Sequence, residues 1–233
     1  HAEELTPFLA YYTDIEKNAS DHALYWLSRQ QNPDGSFGDS NQYETTAQVV
    51  WMATTFGLTS NGQYTAALNY LTSTVPQNNR EKALKARVLT GLGQSAQTLI
   101  DEIKTTKNTD GGYGLDARYS SDVDTTMQVV LAFYAANVEI QGALPQALFY
   151  VANNIANDGA MYYTKDSVAS FYLINNTARS LSPFQAFTVA SDDGKVQITI
   201  QSKITALLNY LKAHTNSTEG VLIGSSDTID VAM

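Results

Sequence analysis

The chain has 233 residues, is 43% hydrophobic and 16% charged, carries a formal net charge of −9 and contains no cysteine. That length can bury one sizeable core. The acidic balance, with no Lys/Arg cluster, argues against a nucleic-acid phosphate partner, and without Cys there is no disulfide framework, thiolate metal site or Cys nucleophile. No run reaches membrane-span length, so no transmembrane segment is expected. The lack of Cys fits an exported bacterial protein. Both ends read as cut: the chain starts at His1-Ala2, and Ser225 to Met233 resembles the opening of a helix whose remainder is missing.

Residues 1–17 read as a lead-in segment. A first helix is predicted over 18–31, with Asn18 or Ser20 as N-cap and Leu24, Trp26 and Leu27 on its apolar face. Asn32-Pro33-Asp34-Gly35 ends it, because proline fixes φ near about −65° and glycine accepts φ > 0. Glu44-Thr45-Thr46 opens a second helix through Val49, Val50, Met52 and Phe56, stopped by Gly57. After Asn61-Gly62 comes a third, Tyr64 to Ser73. Its Ala67-Leu68-Asn69-Tyr70-Leu71 repeats Ala23-Leu24-Tyr25-Trp26-Leu27 at about 44 residues, a helix-pair period.

Pro76 interrupts, and a helix over 80–92 follows with no glycine turn before it; another covers 95–106. Asn108-Thr109-Asp110-Gly111-Gly112-Tyr113-Gly114 restates the turn. The helix from 121 to 136 contains Asp124-Thr125-Thr126-Met127-Gln128-Val129-Val130, parallel to Glu44-Thr45-Thr46-Ala47-Gln48-Val49-Val50. Helices over 144–154 and 165–179 flank Asn157-Asp158-Gly159. Alternating apolar and β-branched residues around Asp192-Asp193-Gly194 predict a β-hairpin near 185–201. The helical period resumes at Ile204 to Leu211, with Thr218-Glu219-Gly220 as a degraded turn.

Trp26-Leu27, Gln31, Gly35 and Phe37 fill a spacing that resembles the glutamine-tryptophan repeat of the squalene-cyclase and protein-prenyltransferase superfamily. Weaker copies keep Gly111 and Tyr113 with Lys107 for Gln, and Tyr150-Val151 and Gly159 with Ile155 for Gln. The resemblance covers residues 18–233 and implies one all-α domain, an α/α toroid of helix pairs around an axis. It implies turns that staple consecutive pairs, since a pair exposes an apolar face only its neighbours can cover. About five pairs are counted where the family ring has about six, so the ring is expected to be open or completed by missing sequence.

Asp122-Val123-Asp124-Thr125 resembles the Asp-x-Asp-Asp acid motif of class II terpene cyclases, with Thr125 in its last place. On that resemblance Asp122 and Asp124 are the catalytic candidates. The parallel stretch at Glu44 offers helix capping as the alternative. The prenyltransferase zinc site and the complement-type thioester both need Cys, and His1, His22 and His214 are scattered, so no metal site and no cofactor are expected. No residue speaks for a cobalamin ligand. Carboxylates at Asp34, Asp39, Glu44, Asp110, Asp116 and Asp158 cluster at turns, where capping is their commonest role; Asp110 with Asp116, or Asp192 with Asp193, are calcium candidates off the EF-hand spacing. Trp26, Tyr70 and Tyr150 take equivalent repeat positions and read as core packing. Tyr43, Tyr113, Tyr119, Tyr162 and Tyr163 lie near turns and are the ligand-binding candidates for a rim. Asn18, Asn175 and Asn216 match glycosylation acceptors, a triplet common by chance.

Together these readings predict a noncatalytic toroid module of a larger secreted or cell-surface protein, extracellular, serving as a scaffold or binding platform. Its expected partners are neighbouring domains of the same polypeptide and a glycan, a protein or a small hydrophobic ligand. The alternatives are a terpene-cyclase-type enzyme with an Asp acid in an aromatic-lined cavity, and a polysaccharide-active toroid.

Overall fold

Helix starts in this chain are fixed by short polar side chains. Asn61, Asn78, Asp122 and Ser170 sit in extended backbone, and each accepts a hydrogen bond from the N–H three residues on. That satisfies one of the donors a first helical turn leaves without an intrahelical partner. The computed structural model describes residues 26–27, 29–55, 57–138, 142–163 and 169–214. The lead-in, most of the first predicted helix, the turn at 218–220, and Asn18 and Asn216 lie outside the described residues.

Eight helices are described: α1 (Gln42–Thr55), α2 (Gly62–Ser73), α3 (Asn79–Gly91), α4 (Gln97–Lys104), α5 (Val123–Ala135), α6 (Ala143–Asn153), α7 (Phe171–Leu181) and α8 (Ile200–Ala213). Between α7 and α8 come a 3₁₀ turn, Ser182–Phe184, and the antiparallel strands β1 (Thr188–Ala190) and β2 (Gln197–Thr199), paired Val189 to Ile198. The protein is therefore mostly helical with one small hairpin. Two predicted boundaries move. The helix expected from 165 starts at Phe171, where Ser170 caps it. The hairpin is shorter than 185–201, because Ile200 and Gln201 already belong to α8.

The chain divides into two compact units between Pro76 and Gln77. In the first, α1 packs on α2, and Phe37, Tyr43, Ala47, Val50, Tyr64, Ala67 and Leu71 are buried. Trp26, expected in the core, is 63% exposed.

In the second unit the helices pack as pairs, α3 with α4, α5 with α6 and α7 with α8, while α5 also touches both α3 and α7. Eight of the 13 residues of α5 are buried, so it is the centre of this unit. Val129, Val130 and Phe133 of α5 share one core with Ile100 and Ile103 of α4, Leu148 and Val151 of α6, Ile174 of α7 and Leu207 of α8. Each such side chain contributes about 1.5–3 kcal/mol when fully buried.

Three turns hold these pairs in register. In each, the first N–H bonds the carbonyl four residues on: Asn32 to Ser36 at 2.8 Å, Asn108 to Gly112 at 3.0 Å, Ala156 to Ala160 at 3.1 Å. The aspartate of each turn accepts from the N–H two residues later, at 3.0 Å in all three, for Asp34, Asp110 and Asp158. The following glycine has φ near +90°, and a Cβ on it would meet the backbone of the next helix but one: Gly35 against Ala66 of α2, Gly111 against Gln146 of α6, Gly159 against Ala206 of α8. Side chains reinforce the same joints. Gln31 donates to the carbonyls of Gly35 and Gln63, Lys107 bonds Gln146, and Lys203 donates to the carbonyl of Ile155.

Two residues past each glycine the chain turns inward, burying Phe37, Tyr113 and Met161. The N–H groups of Phe37 and Tyr113 donate to Thr46 Oγ1 and Thr126 Oγ1, each at 2.9 Å. Tyr113 is therefore a core residue, not a rim residue. Tyr43 is buried as well, its hydroxyl donating to the Leu71 carbonyl at 3.3 Å. Tyr70 and Tyr150 are half-buried.

Candidate functional site

The starts of α3, α5 and α7 lie at one end of the second unit. Arg80, Asp124 and Tyr172 are each the second residue of their helix. Arg80 Nη1 meets Asp124 Oδ2 at 2.7 Å, with 23% and 17% of the two side chains exposed. Farther along the same two helices, Arg87 donates to Gln128 Oε1 at 3.0 Å, so α3 and α5 run parallel. Tyr163, 59% exposed, joins them: the Ser170 hydroxyl hydrogen-bonds its phenol, which also feels the charges of Asp124 and Arg80. Tyr172 is 47% exposed.

Electrostatics at this end are mixed. Burial raises the Asp124 pKa above the ordinary carboxylate value; Arg80 opposes that rise and Asp122 adds to it. Tyr163 is also raised, first by burial and then by Asp124 and Tyr172, against Ser170 and Arg80. Asp122 is the N-cap of α5, accepting from Thr125 N–H at 2.7 Å. The capping alternative thus describes Asp122, while Asp124 is paired to a guanidinium on another helix.

Of the residues picked from the sequence, Asp122, Asp124 and Tyr163 come together here. Tyr119 lies elsewhere, 52% exposed with the Arg118 guanidinium 6.0 Å from its ring centre. Tyr162, 47% exposed, lies toward Tyr210, whose ring stacks on His214 at 4.1 Å. Arg80, Ser170 and Tyr172 were not singled out. Their signal was present: Arg80 precedes Asp124 by 44 residues, the period of the helix repeat.

The calcium candidates are occupied by their own surroundings. Asp110 Oδ1 accepts from Gly112 N–H and the Ser121 hydroxyl. Asp116 takes three hydrogen bonds from Arg118, which hold its carboxyl down to about 2. Asp193 accepts from Ser191 and Lys195. Among the described residues no group of three or more His, Asp or Glu could hold a metal ion. A depression of about 210 Å³ lies between the second turn and the hairpin, lined by Thr109, Asp110, Gly111, Gln146, Phe149 and Asp192. Gln146 bridges it, bonded to Lys107 and to Asp192.

No protein-family model matches the chain, and no curated protein matches it. Among the described residues no helix is long and apolar enough to cross a membrane.

Proposed function

We propose that the chain is a noncatalytic α/α-toroid module, related to the squalene-cyclase and prenyltransferase repeat proteins, in a larger secreted or cell-surface protein, where it serves as a binding platform. The toroid reading is supported by three equivalent turns, each clamping a helix two elements ahead. The platform reading is carried by one observation: parallel helices α3 and α5 present a paired Arg80 and Asp124, whose charges also reach the exposed Tyr163. Asp122 and Glu81 accept from the backbone N–H groups of Thr125 and Gln77, which leaves them caps rather than acids or bases. Asp124 is paired with Arg80 at 2.7 Å, whereas an acid that protonates an alkene must hold its proton in a dry pocket.

The competing reading, a cyclase-type enzyme with Asp124 as acid, draws on the burial that raises its pKa. Incubating the chain with polyprenyl epoxides and with polysaccharides, followed by mass spectrometry of the products, separates the two. The platform reading expects no turnover. Product formation that disappears in Asp124→Asn would replace it with the enzyme.

A further inference from the structure

We infer that the depression between the second turn and the hairpin receives the guanidinium of an arginine side chain carried by a partner protein, an assignment that rests on the platform reading and names the chemistry the platform takes. What singles out this joint is its departure from the other two. At the first and third, the bridging side chains Gln31 and Lys203 end on backbone carbonyls. At the second, side chains bridge to one another: Lys107 donates to Gln146 Oε1, and Gln146 Nε2 donates to Asp192 Oδ1 at 3.0 Å. Asp192 comes from the hairpin, which is not part of the repeated turns. Held at both ends, Gln146 has one orientation, and the cavity it borders keeps a fixed shape.

The lining selects the ligand. A volume of about 210 Å³ is below the ~300–1,000 Å³ of sites that take whole small molecules, and suits a single side chain. Asp110 and Asp192 both line it. The hydrogen bonds to each carboxylate go to Oδ1. Among the described residues neither makes an ion pair, unlike Asp116, Asp124 and Asp193. Carboxylates only accept, so the group they receive must bring donors. Phe149 adds an aromatic wall, on which a planar guanidinium stacks and a strongly hydrated ammonium gains less. The surrounding charges leave the sign negative. Lys107 at the rim is bonded to Gln146, Lys195 is paired with Asp193 at 2.9 Å, Arg118 with Asp116 at 2.7 Å, and Lys104 with Asp101. No residue of α6 is charged, and Glu139, outside the described residues, is acidic. Two carboxylates thus stand against one lysine, and an anionic ligand is disfavoured.

The test is a two-dimensional NMR titration of the 233-residue chain with acetyl-arginine amide, acetyl-lysine amide and the neutral isostere acetyl-citrulline amide. Arginine should bind at millimolar concentration and shift the Gly111 and Gly112 amides and the Gln146 side-chain amide. Lysine should bind more weakly, and citrulline should not bind. Asp110→Asn and Asp192→Asn remove charge but keep the Oδ1 acceptors of the turn and of Gln146, so both should fold, which circular dichroism checks. Each should weaken arginine binding about fivefold, and added salt should weaken it further. No arginine binding at millimolar concentration, shifts confined to other residues, citrulline binding as tightly, or binding unchanged in both asparagine variants overturns the pocket. Lysine binding as tightly as arginine overturns the guanidinium assignment. All of these outcomes leave the platform reading standing, which fails separately, by turnover of polyprenyl epoxides or polysaccharides.

Discussion

The turns and the helix-start end of the second unit use the same residue types for opposite purposes. In the turns, Asp110 and Asp158 face their own backbone, and the glycine after each lies against the main chain of a distant helix. At the starts of α3 and α5, Asp124 faces a side chain on another helix, and Tyr163 and Tyr172 are exposed. A carboxylate bonded to N–H groups two residues away is local geometry; one held by Arg80 depends on the packing of two helices. The turns set the register, and that register brings the second residues of α3 and α5 together.

The largest expected effect breaks a turn. A Cβ at Gly159 would lie 2.1 Å from the Ala206 carbonyl oxygen, and φ there is +90°. Backbone strain and overpacking add, so Gly159→Ala should cost about 3 kcal/mol or more. At Gly111 the corresponding contact is 3.1 Å, and Gly111→Ala should lose only about 1 kcal/mol. Urea midpoints for the two variants measure this directly. Equal losses would mean that φ alone matters and that the turn does not clamp α8.

Thr126→Val comes next. Its hydroxyl accepts from Tyr113 N–H at 2.9 Å and donates to the Asp122 carbonyl at 2.6 Å, all in a buried setting. Valine leaves that N–H buried without a partner, at about 2 kcal/mol, whereas Thr126→Ser should retain most of the stability. Thr46→Val, the matching change in the first unit, should behave alike, because Phe37 N–H makes the same bond there. A large loss in one turn and none in the other would show that the two turns are alike in outline only.

The turns were legible in the sequence because their chemistry is local: Asp-Gly in a polar run needs only its own backbone. The parallel between Glu44 and Asp124 was legible for the same reason. What the turns do at long range was not legible, because Gly159 and Ala206 are 47 residues apart and nothing local marks the contact. Tyr113 and Tyr43 looked like rim residues from their nearness to turns. Burial depends instead on which way the chain leaves the glycine, and it leaves inward. Arg80 and Tyr172 were missed because helix register is set by the caps Asn78 and Ser170, not by the apolar strings from which the repeats were aligned.

Tyr113→Phe should raise stability. The Tyr113 hydroxyl is buried without a hydrogen-bond partner among the described residues, and its ring packs edge-on against Phe133 at 5.9 Å. The matching residue of the first turn is already Phe37. Removing the hydroxyl should gain about 1 kcal/mol, read as a higher thermal midpoint. A loss would reveal a bond to the hydroxyl in solution and would set this turn apart from the first.

The smallest effect separates the two kinds of carboxylate by pH. Asp34, Asp116 and Asp193 have folded pKa values below their ordinary ones, because hydroxyl, guanidinium and backbone donors stabilise the charge. Their contribution is complete above the ordinary carboxylate range and is lost as pH falls, for Asp116 toward about 2. Asp124 has the opposite sign: its folded pKa is raised, chiefly by burial, so the folded state binds the proton more tightly than the unfolded chain. Stability should therefore decline through Asp124 as pH rises across and just above the ordinary carboxylate range. Asp124→Asn should remove that upper limb from the pH–stability curve while leaving the acid-side loss from the turns in place. An unchanged upper limb would mean that Arg80 cancels the effect of burial, and that Asp124 behaves electrostatically like the turn aspartates.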